Sequence, residues 1–438
     1  MHALGDDGHV DALLAAFREQ FNHEEYQYKG HSVCSIVRPR FVARSRHASL
    51  AGTSRDVMAA IDKAQHAVVA DQAKLLPELG DFIDIERRLL NAPTRPDRTG
   101  ISVRLDATAH AGGWGFFELN GGIPGGIEIV HRLSETFRRS SIFRQVAQQV
   151  PLEPFDLRRA TCASLQKAWQ SWGGSGQPTV ALVDWIEDAP LIHEFEIFVH
   201  WMEEIGLDCM LVDPRELEIV GDRLVARGVA IDIVYRRLTL PDMVQRPDDT
   251  AVVTEAAVRN LACIIDPFLP SVLDRKSIFA LLTDPRFDFG LTVAERQAVD
   301  DSLPWTRLLR AATTVFPDGS QGDLLEWVRR RREHLILKPN HDYGGRGVHL
   351  GAHMSAAEWD AAIEDCLQHD FIVQTLLSSE TEAFPTLESP LDPIDMEIST
   401  DPYVFDGELQ GILCRTSSSG ISNVTSGGGM IPTFIVDD

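Results

Sequence analysis

The chain has 438 residues and carries 65 acidic against 41 basic side chains, a formal net charge of −24. This acidic excess argues against general binding to nucleic acids or anionic membranes, and the length predicts two or three domains. The six cysteines form no CxxC pair, so a metal ribbon is excluded and a reduced, cytoplasmic protein is expected. We expect no secretion signal and no membrane span, because no basic start precedes an apolar core and no apolar run approaches about 18 residues.

The first third of the sequence predicts helices around one hairpin. Residues 10–21 place apolar side chains on one helical face, and residues 54–76 form a second helical pattern. A strand at 101–106, a glycine-rich turn and a strand at 115–119 predict the hairpin. A further helix is expected at 126–138.

The middle of the sequence predicts a small Rossmann-like α/β domain. Short apolar runs at 179–185, 209–213 and 230–237 are typical of buried parallel strands. A helical pattern at 191–205 lies between the first two runs, and strand–helix–strand order is that of an α/β unit. A separate hairpin is expected to turn at residues 221–222.

The last part of the sequence, from about residue 272, predicts a third region. We expect helices at 274–283 and 322–333, and strands at 335–339 and 371–377. A loop is expected at 378–400 and a hairpin at 402–415. Ser355 and Glu358 form a capping box for a further helix between the two strands. The predicted loop is rich in Pro, Ser and acidic residues, and the hairpin turns at Asp406 and Gly407.

Glycines are concentrated in three segments, which direct the search for a functional site. Residues 112–126, 342–351 and 420–429 hold 15 of the 32 glycines. Each cluster lies beside a strand that carries charged side chains. Because loops positioned by strands often carry function, these three segments and the charged residues beside them are candidates for a functional site.

The first cluster lies in and after a hairpin with polar side chains on one face. Arg104 and Asp106 share a face of one strand by its period of two, and Glu118 and Asn120 share a face of the other. Two carboxylates and an amide oxygen suit a hard cation such as Mg²⁺. An arginine beside them is placed to stabilise negative charge on a phosphoryl or carbonyl oxygen. The alternative is a solvated polar face, with the glycines simply turning the chain.

The second cluster follows a lysine at the end of a predicted strand. Lys338 precedes Tyr343, Gly344, Gly345 and Gly347. A strand lysine can hold a phosphate as a point charge, while backbone N–H groups of a glycine-rich loop fold over it. The segment is not a Walker loop, because no GKS or GKT follows. The alternative is a tight hairpin with a lysine whose stem is buried.

The third cluster follows Arg415 and includes Asn423 among hydroxyl-bearing residues and glycines. This composition is suited to cradling an anion, and a flexible Ser/Gly loop is the alternative. Outside the clusters, Asp232, Arg236 and Arg237 lie on and after a predicted parallel strand. Open α/β sheets bind ligands beyond the carboxyl ends of their strands, so these three residues are candidates for a substrate crevice, with a surface ion-pair cluster as the alternative.

Together these motifs resemble the ATP-grasp superfamily, in particular its D-alanine–D-alanine ligase branch. The R-x-D pattern of that branch corresponds to residues 104–106, and E-x-N followed by PG corresponds to 118–120 and 124–125. The remaining motifs of the family also have counterparts here: the lysine with its glycine-rich loop, the hinge strand at 373–376, and the third cluster. Their order is rotated, and joining the last residue to the first restores it. The chain therefore resembles the circularly permuted ATP-grasp proteins, a group related to glutathionylspermidine synthase.

The resemblance implies an α/β fold in permuted order, with an α+β ATP-grasp module and a Rossmann-like pre-ATP-grasp domain. Residues 1–150 would hold N-terminal helices and the permuted C-terminal part of the module, which carries the metal-binding hairpin. Residues 151–270 would form the Rossmann-like domain, and 271–438 the lysine, glycine-rich-loop and hinge subdomains.

The resemblance also implies a role for each candidate residue. Asp106, Glu118 and Asn120 would bind Mg²⁺. Arg104, Arg415 and Asn423 would be catalytic and stabilise the tetrahedral intermediate and the transferring phosphate. The ATP-binding residues would be Lys276, Lys338, Tyr343, Gly344, Gly345, Gly347, Gln374, Leu376 and Glu382. An exposed helix lysine is the alternative for Lys276, and the assignment of Glu382 to the ribose depends on the register after the hinge.

The activity that the resemblance implies is ATP- and Mg²⁺-dependent ligation of a carboxylate to an amine. An acylphosphate would form first, and the product would be an amide or peptide bond with release of ADP and phosphate. Small carboxylates and amines, amino-acid or peptide-like, are the expected partners, with a carrier protein and a homodimer as further expectations and no nucleic acid or membrane. The alternatives are phosphoryl transfer to a hydroxyl, carboxylate–thiol ligation to a carrier, and non-catalytic nucleotide binding.

Overall fold

Several packed sheets flanked by helices make up the computed structural model, which describes residues 7–23, 26–28, 31–93, 102–110, 112–187, 192–341, 347–417 and 429–438. None of the helices in this part of the chain is long and apolar enough to span a membrane. The predicted mixture of α and β structure is confirmed. The helices are Asp7–Phe21, Arg44–Ala70, Gln72–Leu75, Asp84–Leu90, Ile127–Arg139, Ser141–Ala147, Leu157–Trp172, Ile192–Glu204, Leu240–Gln245, Ala251–Val258, Phe268–Val272, Ile278–Leu282, Val293–Ser302, Leu324–Arg330 and Ala356–Cys366.

The parallel sheet lies in the middle of the chain, as predicted. Its strands, in spatial order, are Cys263–Ile265, Ile233–Arg236, Thr179–Val183 and Asp208–Val212. All three pairings are parallel, and helix Ile192–Glu204 connects two neighbouring strands. The apolar run of the third strand is buried, which is the property expected of a sheet covered on both faces. The hairpin expected at residues 221–222 is also present and gains a third strand, in the order Val229–Ala230, Arg223–Ala226 and Leu217–Val220.

The lysine sheet is a second, antiparallel sheet that carries Lys338. Its strands, in spatial order, are Thr306–Leu308, Phe371–Thr375, Leu335–Pro339 and His349–Leu350. Leu335, Leu337 and Val373 pack in one core cluster with Trp359. Strand alternation therefore turns Lys338 and Gln374 to the opposite face of this sheet.

The central sheet joins strands from both ends of the chain. In spatial order they are Gly429–Ile431, Glu408–Ser417, Ile394–Phe405, Ser102–His110 and Gly113–Asn120, with Glu380–Phe384 also paired to the third. The predicted hairpin of residues 101–119 enters this sheet through the pairing of Arg104 with Tyr403. The first and last thirds of the sequence thus build one sheet, although the parallel sheet separates them along the chain.

The two ends of the described chain meet in a smaller sheet. Strand Thr433–Val436 pairs in parallel with Arg40–Ala43 and antiparallel with Glu153–Pro154. Two further strand pairs lie within the described residues: Gln27–Tyr28 with His31–Ser32, and Thr313–Val315 with Gln321–Asp323. The C-terminal strand therefore closes against the segment that enters the long helix Arg44–Ala70.

Two predicted elements differ from the observed ones. The expected loop at 378–400 contains strand Glu380–Phe384 and the first part of Ile394–Phe405. Acidic side chains made this segment look like a loop, but its strands pair with each other, and charge is common on strands at sheet edges. The helix expected at 274–283 begins only at Ile278. The residues just before it form a tighter turn, in which the Ile278 N–H bonds to the Arg275 carbonyl and the Phe279 N–H to the Lys276 carbonyl, three residues back instead of four.

Candidate functional site

One face of the central sheet gathers the polar residues predicted from the first glycine cluster. Arg104 pairs directly with Asn120, and Asp106 pairs directly with Glu118. Directly paired residues in antiparallel strands have their side chains on the same face and close together. The structure therefore brings these four side chains together, as the alternation of residues predicted.

Asp106 is the centre of this cluster and is bound by two arginines. The Arg104 Nε donates to Asp106 Oδ1 at 2.8 Å, and Arg415 Nη2 donates to Asp106 Oδ2 at 2.7 Å. The Asn120 side-chain amide also donates to Oδ1, at 3.0 Å. Burial alone would raise the pKa of Asp106, but the two guanidiniums lower it to about 2. The first and third motifs thus meet at one carboxylate, which is fully ionised near neutral pH.

Asp401 is a second buried carboxylate in the cluster, and the sequence-based reasoning missed it. Arg415 Nε donates to Asp401 Oδ2 at 2.8 Å, and the Ser399 hydroxyl donates to the same oxygen at 2.8 Å. Its Oδ1 accepts the Ala107 backbone N–H at 2.9 Å. This bond links strand Ile394–Phe405 to strand Ser102–His110 beyond the three residue pairs that join them. Burial raises the pKa of Asp401 to about 6 despite the neighbouring Arg415. This carboxylate therefore orients Arg415 and bridges two strands.

Lys338 reaches the same region from the lysine sheet. Its Nζ donates to Gln374 Oε1 at 2.8 Å and to the Phe117 carbonyl at 3.4 Å. That carbonyl is available because a β-bulge leaves Phe117 without a partner between the pairs Asp106–Glu118 and Ala107–Phe116. Burial lowers the pKa of Lys338 to about 8, although Glu118 favours its charged form. The structure thus places the predicted phosphate lysine against the hairpin that carries the predicted metal ligands.

Lys276 supplies a second cation to the same region. Its Nζ lies 3.0 Å from Glu118 Oε1, and the lysine is buried. The alternative of an exposed helix lysine is excluded, because Lys276 precedes the helix and its backbone N–H bonds to the Asn340 carbonyl at 3.0 Å. Two lysines, from different segments, therefore converge beside the hairpin.

The glycines after Asn120 provide close packing and not a flexible cradle. A Cβ at Gly121 would lie 2.9 Å from the Pro270 carbonyl, and one at Gly122 would lie 2.4 Å from the Ser271 hydroxyl. The Gly121 N–H donates to Asp274 Oδ2 at 2.8 Å, and burial raises the pKa of Asp274 to about 7. The first glycine cluster therefore fixes the hairpin end against the segment that leads to Lys276.

The proposed metal ligands match Mg²⁺ in donor type but are not preassembled. Asp106 and Glu118 oppose each other directly with Asn120 on the same face, which offers two carboxylates and an amide oxygen. Both carboxylates are engaged by cationic side chains, Asp106 by two arginines and Glu118 by Lys276. Among the described residues, no three His, Cys, Asp or Glu side chains form a group that could hold a metal ion. A metal ion at this set would therefore compete with these cationic side chains for the carboxylate oxygens.

The structure does not bring Glu382 to this cluster. Its strand pairs Glu382 with Met396, and alternation then puts it on the face opposite Ser399 and Asp401. There its carboxylate bonds to Arg38 at 2.6 Å and lies 3.6 Å from Arg40. The proposed ribose contact therefore has no support from this geometry.

Three more of the predicted nucleotide residues, Gln374, Leu376 and Gly347, lie in or next to the lysine sheet. Gln374 is buried between Lys338 and the Thr306 hydroxyl, to which it donates at 3.0 Å. Leu376 follows that strand, is 41% exposed and bonds through its N–H to the His334 carbonyl. Gly347 has a φ of +66°, which favours glycine, in the hairpin after Lys338. Tyr343, Gly344, Gly345 and Asn423 lie outside the described residues.

The three candidates for a substrate crevice have different positions. Asp232 lies before strand Ile233–Arg236 and accepts the Thr179 N–H at 3.0 Å, at the amino end of the sheet. Arg236 is fully buried and donates to the Leu238 carbonyl at 2.6 Å. Arg237 follows the carboxyl end of the strand and donates to the Pro124 carbonyl at 3.2 Å. Arg236 Nη2 donates at 2.5 Å to the Ser271 hydroxyl that packs against Gly122, so both arginines lie beside the segment after the hairpin.

Comparison with known proteins identifies a shared fold. The sequence matches no protein-family model and no curated protein. The structure is similar to that of a glutathione synthetase-like effector, GSS30, from Globodera pallida in its apo form, with a TM-score of 0.59, 12% identity and 98% of each chain covered. A weaker similarity is to a putative γ-glutamylcysteine synthetase from Methylobacillus flagellatus KT, with a TM-score of 0.41, 10% identity, and 82% of this chain and 81% of that chain covered. Another is to D-cycloserine synthetase DcsG, with a TM-score of 0.29, 11% identity, and 53% of this chain and 89% of that chain covered. Over nearly its whole length, the chain shares the fold of the glutathione synthetase-like effector.

Proposed function

We propose that the protein is an ATP- and Mg²⁺-dependent ligase that joins a carboxylate to an amine through an acylphosphate. The observation that carries this proposal is the convergence of Lys276, Lys338, Arg104 and Arg415 on an oxygen-donor set at one hairpin. Such a site suits a metal-chelated polyphosphate, because it offers both cations for phosphate oxygens and oxygens for a metal. The fold shared with a glutathione synthetase-like effector supports peptide-type ligation.

In the proposed reaction the residues bind, align and neutralise charge. A substrate carboxylate oxygen attacks the γ-phosphorus of ATP, and the bond from phosphorus to ADP breaks. The amine nitrogen then attacks the acyl carbon, loses a proton and displaces phosphate. Lys276 and Lys338 hold the phosphates, and Arg104 and Arg415 stabilise charge on the transferring phosphoryl group and on the tetrahedral oxygen. When bound through Asp106, Glu118 and Asn120, Mg²⁺ would neutralise phosphate charge.

The position of the hairpin supports the permuted chain order. In the family that the motifs resemble, the R-x-D and E-x-N patterns follow the lysine, hinge and Arg/Asn segments. Here the hairpin comes first in sequence, yet it pairs with strand Ile394–Phe405 of the last third through Arg104 and Tyr403. A circular permutation predicts this arrangement, because segments whose order along the sequence is rotated keep the same neighbours in space.

Phosphoryl transfer to a hydroxyl, thioester formation on a carrier and non-catalytic nucleotide binding remain alternatives. The first two would use the same phosphate site, so they differ from the proposal only in the acceptor. Non-catalytic binding is disfavoured because the described site retains both arginines, both lysines and the oxygen donors.

The charge of Lys338 provides a test of the proposed nucleotide site. Below its pKa of about 8 the lysine is protonated and can pair with a phosphate, so affinity is highest there and falls as the pH rises through this value. We expect a non-hydrolysable ATP analogue with Mg²⁺ to bind about tenfold more weakly at pH 9 than at pH 7, because the free lysine must first take up a proton. Calorimetry on Lys338→Ala should show weaker binding that no longer depends on pH over this range. An unchanged affinity in this variant would contradict the assignment.

A further inference from the structure

We propose that Asn340 is a positioning residue that holds Lys276 and Lys338 at a fixed spacing, and that the N-terminal segment around Leu79 braces it. This inference rests on the proposed nucleotide site and adds a role for a region without a recognisable motif. Asn340 lies two residues after Lys338, directly beyond the strand that carries it, and is fully buried. Its side chain therefore acts where the two lysine-bearing segments meet.

Asn340 binds the Lys276 segment through both its main chain and its side chain. The Asn340 carbonyl accepts the Lys276 N–H at 3.0 Å, and its Oδ1 accepts the Ser277 N–H at 2.9 Å. One residue thus satisfies two consecutive N–H groups that precede the helix starting at Ile278 and would otherwise need water. The main chain of Lys276 is consequently set relative to the Lys338 strand by two short bonds.

The N-terminal segment supports Asn340 from the other side. The Asn340 Nδ2 donates to the Leu79 carbonyl at 2.7 Å and to Asp370 Oδ2 at 3.0 Å. The Leu79 carbonyl also accepts the Ser277 hydroxyl at 2.8 Å. At Gly80, where φ is +106°, a Cβ would lie 2.4 Å from Asp370 Oδ2, so this approach needs glycine. Three separate parts of the chain therefore meet at one amide.

Arg275, the residue before Lys276, is tied to the same segment. It is buried, donates to Glu86 Oε1 at 2.7 Å and to Asp370 Oδ2 at 3.1 Å, and lies 3.9 Å from the centre of the Phe82 ring. The lysine brace comprises Asn340, Ser277, Arg275, Glu86, Asp370 and the Leu79 carbonyl. The brace fixes the two residues next to Lys276 in sequence, Arg275 and Ser277, while strand Leu335–Pro339 fixes the position of Lys338. The spacing of the two cations thus depends on the brace and not on their own side-chain contacts alone.

A positioning role and a merely structural role predict different behaviour in a double-mutant cycle. If Asn340 acts by placing Lys276, then removing Asn340 weakens nucleotide binding only while Lys276 is present. If Asn340 only stabilises the fold, its removal has the same effect on affinity in both backgrounds, or none. Coupling between two substitutions isolates this difference.

The experiment measures binding of a non-hydrolysable ATP analogue with Mg²⁺ by calorimetry in the full chain. Asn340→Ala and Lys276→Ala should each lower the affinity roughly tenfold or more, and the double variant should bind no more weakly than Lys276→Ala alone. Asn260→Ala is the matched control, because it removes a side-chain bond to Trp172 in another part of the fold and should leave the affinity unchanged. Should Asn340→Ala fail to fold, Ser277→Ala removes only the hydroxyl bond from the Lys276 segment to the Leu79 carbonyl, and it should weaken binding only while Lys276 is present.

Three outcomes would overturn the inference. Additive losses in the double variant, or wild-type affinity in a folded Asn340 variant, would overturn the positioning role while leaving the nucleotide site intact. Absence of any nucleotide binding by the wild-type chain would instead overturn the proposed function, and this inference with it.

Discussion

Arg415→Ala is expected to lower the free energy of unfolding by about 3–5 kcal/mol, because it leaves buried carboxylates without their partner. Arg415 bonds to Asp106 at 2.7 Å and to Asp401 at 2.8 Å. Asp106 keeps Arg104, but the fully buried Asp401 keeps only the Ser399 hydroxyl and the Ala107 N–H among its hydrogen-bond donors within the described chain. Denaturant unfolding of wild type and variant measures the difference.

Two further variants test the cause of this loss. Asp401→Asn, introduced beside Arg415→Ala, removes the uncompensated charge and should restore part of the stability. Arg55→Ala breaks an exposed pair with Glu408 at the edge of the same sheet and should leave the unfolding midpoint almost unchanged. A small effect of Arg415→Ala, equal to that of Arg55→Ala, would show that the buried cluster does not depend on this arginine.

Glu118→Ala combined with Asn120→Ala is expected to abolish Mg²⁺-dependent ATP cleavage while the chain stays folded. The pair removes two of the three proposed metal ligands, and a loss of at least about a hundredfold is expected for groups that stabilise transition-state charge. Folding should persist because strand Gly113–Asn120 is at the edge of the central sheet and Glu118 is partly exposed. Phosphate release with and without Mg²⁺, together with an unfolding curve, measures both properties.

A carboxylate on the other face of the central sheet provides the control. Glu382→Gln changes an acid that bonds to Arg38 and lies away from the cluster, so ATP cleavage should continue at close to the wild-type rate. Loss of activity here would indicate that Glu382 contributes to nucleotide binding, as the sequence-based ribose assignment supposes. Wild-type cleavage by the Glu118 and Asn120 double variant would contradict the metal site.

Local patterns were sufficient to predict most elements near the site. Alternation of apolar and polar residues located the hairpin, and the period of two correctly grouped Arg104 with Asp106 and Glu118 with Asn120. Buried runs located the parallel strands, and the Ser355–Glu358 capping box is present with bonds in both directions. These features depend on residues close in sequence, so a single sequence contains enough information to predict them.

The parts that were missed depend on contacts distant in sequence. Asp401 was assigned no role because it lies between the loop predicted at 378–400 and the hairpin predicted at 402–415, whereas its carboxylate accepts a bond from Ala107, 294 residues away in sequence. Asn340 was overlooked because its partners Leu79, Ser277 and Asp370 lie in three other segments. Glu382 was placed by its distance from the hinge, and only strand pairing shows which face it occupies. Such pairings are set by tertiary packing, which no local pattern encodes.

Hydroxylamine trapping during ATP turnover tests the central proposal most directly. The purified chain would be incubated with ATP, Mg²⁺ and a panel of carboxylates, each with and without an amine or hydroxylamine. The proposed ligase predicts that one carboxylate stimulates phosphate release in the presence of an acceptor, and that hydroxylamine converts this acid to its hydroxamate. Phosphate transfer to a hydroxyl compound, with no hydroxamate from any acid that stimulates ATP cleavage, would contradict the proposal.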